Sequence, residues 1–360
     1  MSNKLEEARK IINEVDSKMA ELFVKRMRAA ELVYDYKKEF GLPILDAKRE
    51  EAVVEKNSAL IEDQVLKTYY IDYIKNLMSL SRAYQYRMQS GLKVAYSGVE
   101  GAFAHIAAGR IFPEGNRVSY SDFKAAYDSV VNGECDVAVL PIENSYAGEV
   151  GQTIDLIFSG SLYVNGIYEL DIHQNLLGLP DAKIEDVKMV ISHPQAIGQC
   201  AEFLKEHGLQ AKEYENTALA AEKVARMGDK SLAAIASSEA AELFGLEVLY
   251  KNINSSRTNT TRFAVFSRAP KMREEKENGV HSIILFTVRN EAGALARAIE
   301  IIGKYGFNMR ALRSRPMKEL LWQYYFYVET EGNAKTENGE KMMRELKLCC
   351  DKLKLLGTYI

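Results

Sequence analysis

The chain has 360 residues, 47% of them apolar and 27% charged, and a formal net charge of −3. That length exceeds one ordinary core and calls for two or three domains; the composition excludes a disordered chain. A charge so near balance excludes an overall basic field for nucleic acid or an anionic membrane, so any anion site must be built from locally placed cations. Cys135, Cys200, Cys349 and Cys350 form no CxxC pair and no Cys/His cluster, which reads as small buried thiols in a reducing compartment, with no metal. The first residues have no apolar signal core, and no apolar run reaches membrane-spanning length, so a cytoplasmic location is expected.

Residues 1–90 contain one proline, Pro43, and long stretches of helical periodicity. The first helix carries an apolar seam, Leu5, Ile12, Val15, Met19, Leu22, Ala30 and Val33, and Arg9, Arg26 and Lys37 fall on the same stripe. Cations are rarely buried without a partner, and three on one seam point to an anionic ligand. At 1.5 Å per residue Arg9 lies about 25 Å from Arg26 on one straight helix, whereas Arg26 and Lys37 are about 16 Å apart and can converge on one small molecule. The spacing therefore predicts a dimer in which Arg9 crosses into the partner's site. A second helix starts after Leu45 with Asp46 as N-cap and Arg49 and Glu50 in its first turn. A third, over residues 64–88, puts Ser81 and Gln85 one turn apart at core positions. Two seam arginines, a lysine, a further arginine, one acid, a hydroxyl and an amide suit a compact dicarboxylate whose charge shifts between atoms, without a covalent nucleophile.

This pattern resembles the all-helical, intertwined-dimer class of chorismate mutases, whose motif positions fall on Arg9, Arg26, Lys37, Asp46, Arg49, Glu50, Ser81 and Gln85. The resemblance implies that Arg26 and the partner's Arg9 hold carboxylates, helped by Arg49 and Ser81. It implies that Lys37 and Gln85 donate to the ether oxygen, and that Glu50 and the backbone at Asp46 meet the ring hydroxyl.

From Lys93 to about Arg268 short apolar strands alternate with helices, which predicts parallel α/β sheets. Strand-to-helix junctions are expected at residues 96–103, 140–148, 191–195 and 235–239, where free amides at helix starts can hold a carboxylate. The Gly98-Val99-Glu100-Gly101 turn lacks the GxGxxG arrangement and no Walker A sequence occurs, so no nucleotide cofactor is expected. His105 and His193 sit near helix starts and read as structural rather than catalytic. Asn259-Thr260-Thr261-Arg262-Phe263 reads as a polar loop entering a strand that returns to the first lobe.

The Thr261-Arg262-Phe263, Glu143-Asn144-Ser145 and Ser192-His193-Pro194-Gln195 motifs resemble those of prephenate dehydratases, which implies two α/β lobes of the periplasmic-binding-protein type with substrate between them. By that resemblance Thr261 is the catalytic candidate and Asn144, Ser145 and Arg262 are cleft residues. Ala104 and Ser255 depart from the residues usual in that family.

Residues 270–279 are highly charged and read as a linker. The remainder has the order βαββαβ, with strands at 282–288, 307–314 and 322–329, helices at 293–305 and 337–352, and a short last strand, which implies an α+β ferredoxin-like domain. Gly293-Ala294-Leu295 and Ser314-Arg315-Pro316 resemble motifs of the ACT family of amino-acid-sensing domains, with Arg313 in place of the usual glutamate. That resemblance implies phenylalanine as effector at a dimer interface.

The expected architecture is thus a helical mutase domain over residues 1–90, a two-lobed dehydratase domain over 92–269 and an ACT domain over 280–360. Together they convert chorismate to prephenate and prephenate to phenylpyruvate as a homodimer or a dimer of dimers. Two rival readings share some features: a prephenate or arogenate dehydratase whose helices only dimerise, and a non-enzymatic amino-acid-binding regulator.

Overall fold

The computed structural model describes residues 2–256, 258–271, 279–317 and 324–360. Most of the charged stretch read as a linker, and the start of the strand expected from residue 322, lie outside the described residues. The chain divides into two compact units, Met1–Leu92 and Lys93–Ile360.

The first unit is helical: α1 (Ser2–Glu39), α2 (Ala47–Ser58) and α3 (Gln64–Ser90). Asp46 caps α2, its carboxylate accepting the Arg49 N–H at 3.0 Å, and Asp63 caps α3 through the N–H groups of Val65 and Leu66. The buried side of α3 carries Ile74, Met78, Ser81 and Gln85, one stripe at helical spacing. The amino-terminal half of α1 leaves its apolar seam open, with Leu5 and Ile12 each 56% exposed and Leu22 63% exposed.

The second unit begins with β1 (Lys93–Ser97), α4 (Phe103–Ile111), β2 (Asn116–Tyr120), α5 (Phe123–Val131), β3 (Val137–Asn144), β4 (Gly148–Glu149), α6 (Gly151–Ser159) and β5 (Tyr163–Asp171). It crosses into a second lobe with β6 (Asn175–Gly178), β7 (Met189–Ser192), α7 (Pro194–Gln199), α8 (Ala201–Glu206), β8 (Gln210–Glu213), α9 (Thr217–Met227), β9 (Leu232–Ala236), α10 (Ser238–Phe244) and β10 (Glu247–Tyr250). It then returns through β11 (Thr260–Ser267). The first sheet has the order β2-β1-β3-β11-β5 with β4 beside β3, and the second β10-β6-β9-β7-β8.

The sheets are mixed, not parallel as the alternating pattern suggests. β1 pairs in parallel with β2 and β3, but β11 runs antiparallel to both β3 and β5, and β6 antiparallel to β9 and β10. The reversal follows from the two crossings between lobes, because a strand that returns without a crossover helix re-enters its sheet in the opposite sense.

The chain ends with β12 (His281–Thr287), α11 (Ala294–Lys304), β13 (Met309–Pro316), β14 (Tyr324–Glu331), α12 (Glu337–Cys349) and β15 (Lys352–Tyr359), an antiparallel sheet of order β13-β14-β12-β15. β15 is long rather than short. One core runs from the first lobe into this sheet, joining Leu140, Ile142 and Phe266 to Ile283, Tyr327 and Leu356. Gly357 permits the contact: a Cβ there would stand 1.8 Å from the Val164 carbonyl oxygen of β5. No helix among the described residues is long and apolar enough to cross a membrane.

Candidate active sites

The helical unit encloses a cavity of about 230 Å³. α1 supplies Arg26 and Lys37, α2 with its cap supplies Asp46, Arg49 and Glu50, and α3 supplies Ser81, Arg82 and Gln85. Arg26 donates to the Ser81 hydroxyl and to the Leu77 carbonyl, and Ser81 donates to Leu77 O at 3.0 Å. The Lys37 ammonium donates to the Ile44 carbonyl, and Arg82 pairs with Glu50. Four cations therefore face two carboxylates, and one of those, Asp46, already caps α2. Gln85 is buried, and its side-chain carbonyl oxygen has no hydrogen-bond partner among the described residues. That oxygen is an acceptor and calls for a donor such as a ligand hydroxyl, while the excess of cations over carboxylates calls for an anion.

The cavity gathers seven of the eight residues singled out from the sequence. Arg9 is the exception: it lies near the amino end of α1 among Glu6, Lys10, Asn13 and Glu14. Because α1 is unbroken from Ser2 to Glu39, Arg9 cannot bend back to Arg26. Arg82 was missed; one residue from Ser81, it reads from sequence as an ordinary exposed cation.

The second cavity, about 440 Å³, lies between the two lobes of the α/β unit. Thr261 on β11 and Asn144 on β3 are ladder partners and both line it. The Asn144 amide donates to Thr261 Oγ1 at 2.9 Å and to Asn259 Oδ1 at 2.8 Å, while its Oδ1 accepts the N–H groups of Tyr146 and Ala147 at 3.0 and 2.9 Å. Asn259 in turn donates to Gln199 Oε1 at 3.1 Å, so a chain of amides links the lobes. Thr261 is buried, and its oxygen accepts from a neutral donor, leaving its proton to donate into the cavity. Helix starts converge here from α4, α7 and α9, at Phe103, Gln195 and Thr217. The α4 start has no side-chain cap, so its amides face the cavity uncovered.

Several expectations need correction. Residues 140–148 do not open a helix: β3 continues through Pro141, Ile142, Glu143 and Asn144, then turns into β4. Ser237 caps α10 through the Ala240 N–H, away from the cavity lining. The Ser145 hydroxyl is spent on the loop, donating to Thr258 O at 2.7 Å and accepting the Thr260 N–H at 2.9 Å. Arg262 does not face the cleft. Strand side chains alternate, so Thr261 and Phe263 line the cavity while Arg262 projects from the opposite face. There its guanidinium meets Glu329 of β14 at 2.7 and 3.1 Å and Glu143 at 3.1 Å.

His105 accepts the Gly101 N–H at 3.2 Å and packs on Tyr96; burial, then the Arg117 charge, pushes it below its usual value. His193 caps α7 by accepting the Gln195 N–H at 3.2 Å. Both are engaged structurally. Gln199, at the end of α7, and Thr217, at the start of α9, were missed, and Asn259 was read only as part of the polar loop before β11.

Comparison with known proteins agrees with this division. Residues 94–271 match the model of the prephenate dehydratase family, and residues 8–86 that of chorismate mutase type II. The chain is 33% identical over 369 residues to the bifunctional chorismate mutase/prephenate dehydratase of Aquifex aeolicus, covering 99% of this chain and 97% of that protein. Two solved structures resemble about three quarters of the chain. One, a prephenate dehydratase of Arthrobacter aurescens in complex with L-Phe, has a TM-score of 0.68 at 25% identity, covering 74% of this chain and 89% of that one. The other, described as the quorum-quenching acylase GqqA, has a TM-score of 0.69 at 31% identity, covering 74% of this chain and 97% of that one.

Proposed function

The chain belongs to the family of bifunctional chorismate mutase/prephenate dehydratases, and on that premise we propose which residues carry each step. It converts chorismate to prephenate and prephenate to phenylpyruvate, with loss of water and carbon dioxide, in phenylalanine synthesis. The observation that carries the assignment is the cavity of the helical unit, where Arg26, Lys37, Arg49 and Arg82 outnumber the carboxylates of Asp46 and Glu50 and Gln85 lines the same wall.

In that cavity Arg26, Arg49 and Ser81 hold the substrate carboxylates, and Arg9 of the partner subunit completes the grip. Lys37 and the Gln85 amide donate to the ether oxygen, where negative charge grows as the C–O bond breaks. Glu50, with the Asp46 backbone, takes the ring hydroxyl. The site selects a compact conformer and stabilises a polarised transition state, without covalent chemistry. Gln85→Ala is expected to lower mutase kcat by about 10²-fold with KM changed less than about threefold. Equal kcat in wild type and variant, by initial rates of chorismate loss, contradicts the role given to Gln85.

In the cleft, a substrate carboxylate lies against the uncapped start of α4, and Thr261 donates its proton to the departing ring hydroxyl. Carbon dioxide leaves from the ring carboxylate, its bonding electrons complete the aromatic ring, and the hydroxyl departs with the Thr261 proton as water; Thr261 regains its proton from solvent. Aromatisation supplies the driving force. The acylase resemblance raises acyl transfer at the same cleft, which needs a nucleophile with a base in reach. Asn144 is a donor to Thr261, and the His193 Nδ1 lone pair is already taken by Gln195, which favours dehydration.

The domains run over 1–90, 92–269 and 280–360 in this reading, and the last is an ACT-type sensor for phenylalanine. The βαββαβ order and the Arthrobacter relative's bound L-Phe support it, as does Gly293, whose φ of +80° at the start of α11 strains any other residue. Phenylalanine acts by favouring one of two states of the unit. Adding it is expected to depress prephenate turnover saturably while leaving chorismate consumption unchanged. A flat titration contradicts the sensor.

A further inference from the structure

Behind the Asn144–Thr261 pair lies a cluster of charges that the chemistry above does not use. The ladder that pairs Thr261 with Asn144 pairs the next residues, Arg262 with Glu143, and these project from the other face. Here Arg313 of β13 reaches across from the carboxyl-terminal sheet. Its Nη2 lies 2.7 Å from Glu143 Oε2, its Nε 2.8 Å from Glu149 Oε1 and its Nη1 3.4 Å from Glu329 Oε1. Arg262 joins two of these three carboxylates, Glu143 and Glu329. The Tyr327 and Tyr359 hydroxyls each donate to Glu329 at 2.7 Å, and the Arg313 guanidinium lies over the Tyr327 ring.

Glu329 and Arg313 are almost wholly enclosed, their side chains 1% and 11% exposed. Burial pushes the Glu329 carboxyl up, but the Arg262 hydrogen bonds and charge, with the two tyrosines, outweigh it and bring it down to about 2. Two residues along β13, Arg315 donates to Gly151 O at 3.0 Å and pairs with Asp155 at 2.7 Å. The two arginines thus grip both ends of the segment from Glu143 to Asp155. That segment carries Asn144 and Val150, which line the cleft.

A buried ionic cluster adds little net stability over apolar packing, but it fixes position sharply, because a displaced partner strands a charge. We propose that Arg313 is a positioning residue of the dehydratase: through Glu143 and Glu149 it sets the Asn144–Thr261 pair, so that the carboxyl-terminal sheet forms part of the working site. A displacement of β13 moves the donor hydroxyl away from the substrate. The inference rests on Thr261 acting as proton donor.

The test uses the full chain, with mutase turnover as the internal measure of intact protein. Arg313→Leu is expected to lower kcat on prephenate about tenfold with KM within twofold, and Arg313→Lys to regain most of it. Glu149→Gln, which removes one partly exposed arm and leaves the buried charges paired, is expected to lower kcat about threefold, and to add nothing on top of Arg313→Leu. Wild-type kcat in Glu149→Gln overturns the proposal even where Arg313→Leu does not fold, as does a loss confined to KM, or additive losses. Thr261→Ala run in parallel separates the two readings: if it retains dehydratase activity the proton-donor role fails, and if it is inactive while the Arg313 and Glu149 variants match wild type, only the positioning role fails.

Discussion

Replacing Thr261 with alanine is expected to cut prephenate turnover by about 10³-fold, while chorismate consumption by the same chain stays within about twofold of wild type. The size follows from the place of Thr261. Its oxygen is buried in the cleft and held at 2.9 Å by Asn144, so no other side-chain hydroxyl can take its position without moving the ladder. The Asn144 amide polarises the Thr261 O–H by donating to its oxygen, which makes a weak acid a better one at the moment of C–O cleavage. Thr261→Ser keeps the hydroxyl but frees its rotation, and is expected to lose only about tenfold. Prephenate loss and phenylpyruvate appearance, measured separately from chorismate loss, check this. Full turnover in Thr261→Ala removes Thr261 from the chemistry.

The second large effect concerns the helical unit. Arg9→Ala and Arg26→Ala are each expected to depress mutase activity by about 10²- to 10³-fold, since each removes a charge-assisted hydrogen bond to a carboxylate. Mixed under conditions that exchange subunits, they are expected to recover about one quarter of wild-type activity per site, because half the dimers are then mixed and each of those holds one complete and one doubly damaged site. The open seam on α1 is the physical reason to expect exchange partners. Leu5, Ile12, Val15, Met19 and Leu22 are each at least 41% exposed, and burying such a side chain is worth about 1.5–3 kcal/mol. No recovery on mixing places Arg9 outside the partner's site.

How much of this could be read from the sequence depended on the range of the interaction. The cap at Asp46, the stripe of Ser81 and Gln85 on α3 and the convergence of Arg26 with Lys37 follow from helical spacing, a local property, and the structure places them as the spacing demands. The charge balance of the mutase cavity was only partly legible, because Arg82 looks like any surface cation until Glu50 arrives from α2. Arg262 shows the opposite failure. Adjacent to Thr261 in the motif, it reads as a cleft residue, yet strand alternation sends it to the far face. Its partner Glu329 is 67 residues away, and nothing local announces it. Arg313 looked in isolation like a charge reversal at a sensor motif; its carboxylate partners Glu143 and Glu149 lie on β3 and β4 of a different sheet. The sheets misled for the same reason, since local alternation of strands and helices cannot reveal that β11 returns antiparallel.

Two sites in one chain, working in sequence on one carbon skeleton, form the central claim, and a single time course tests it. Purified protein supplied with chorismate alone is expected to produce prephenate first and then phenylpyruvate, and the Thr261→Ala chain to stop at prephenate. Chorismate left unchanged, or prephenate accumulating in the wild-type chain as it does in the variant, contradicts it.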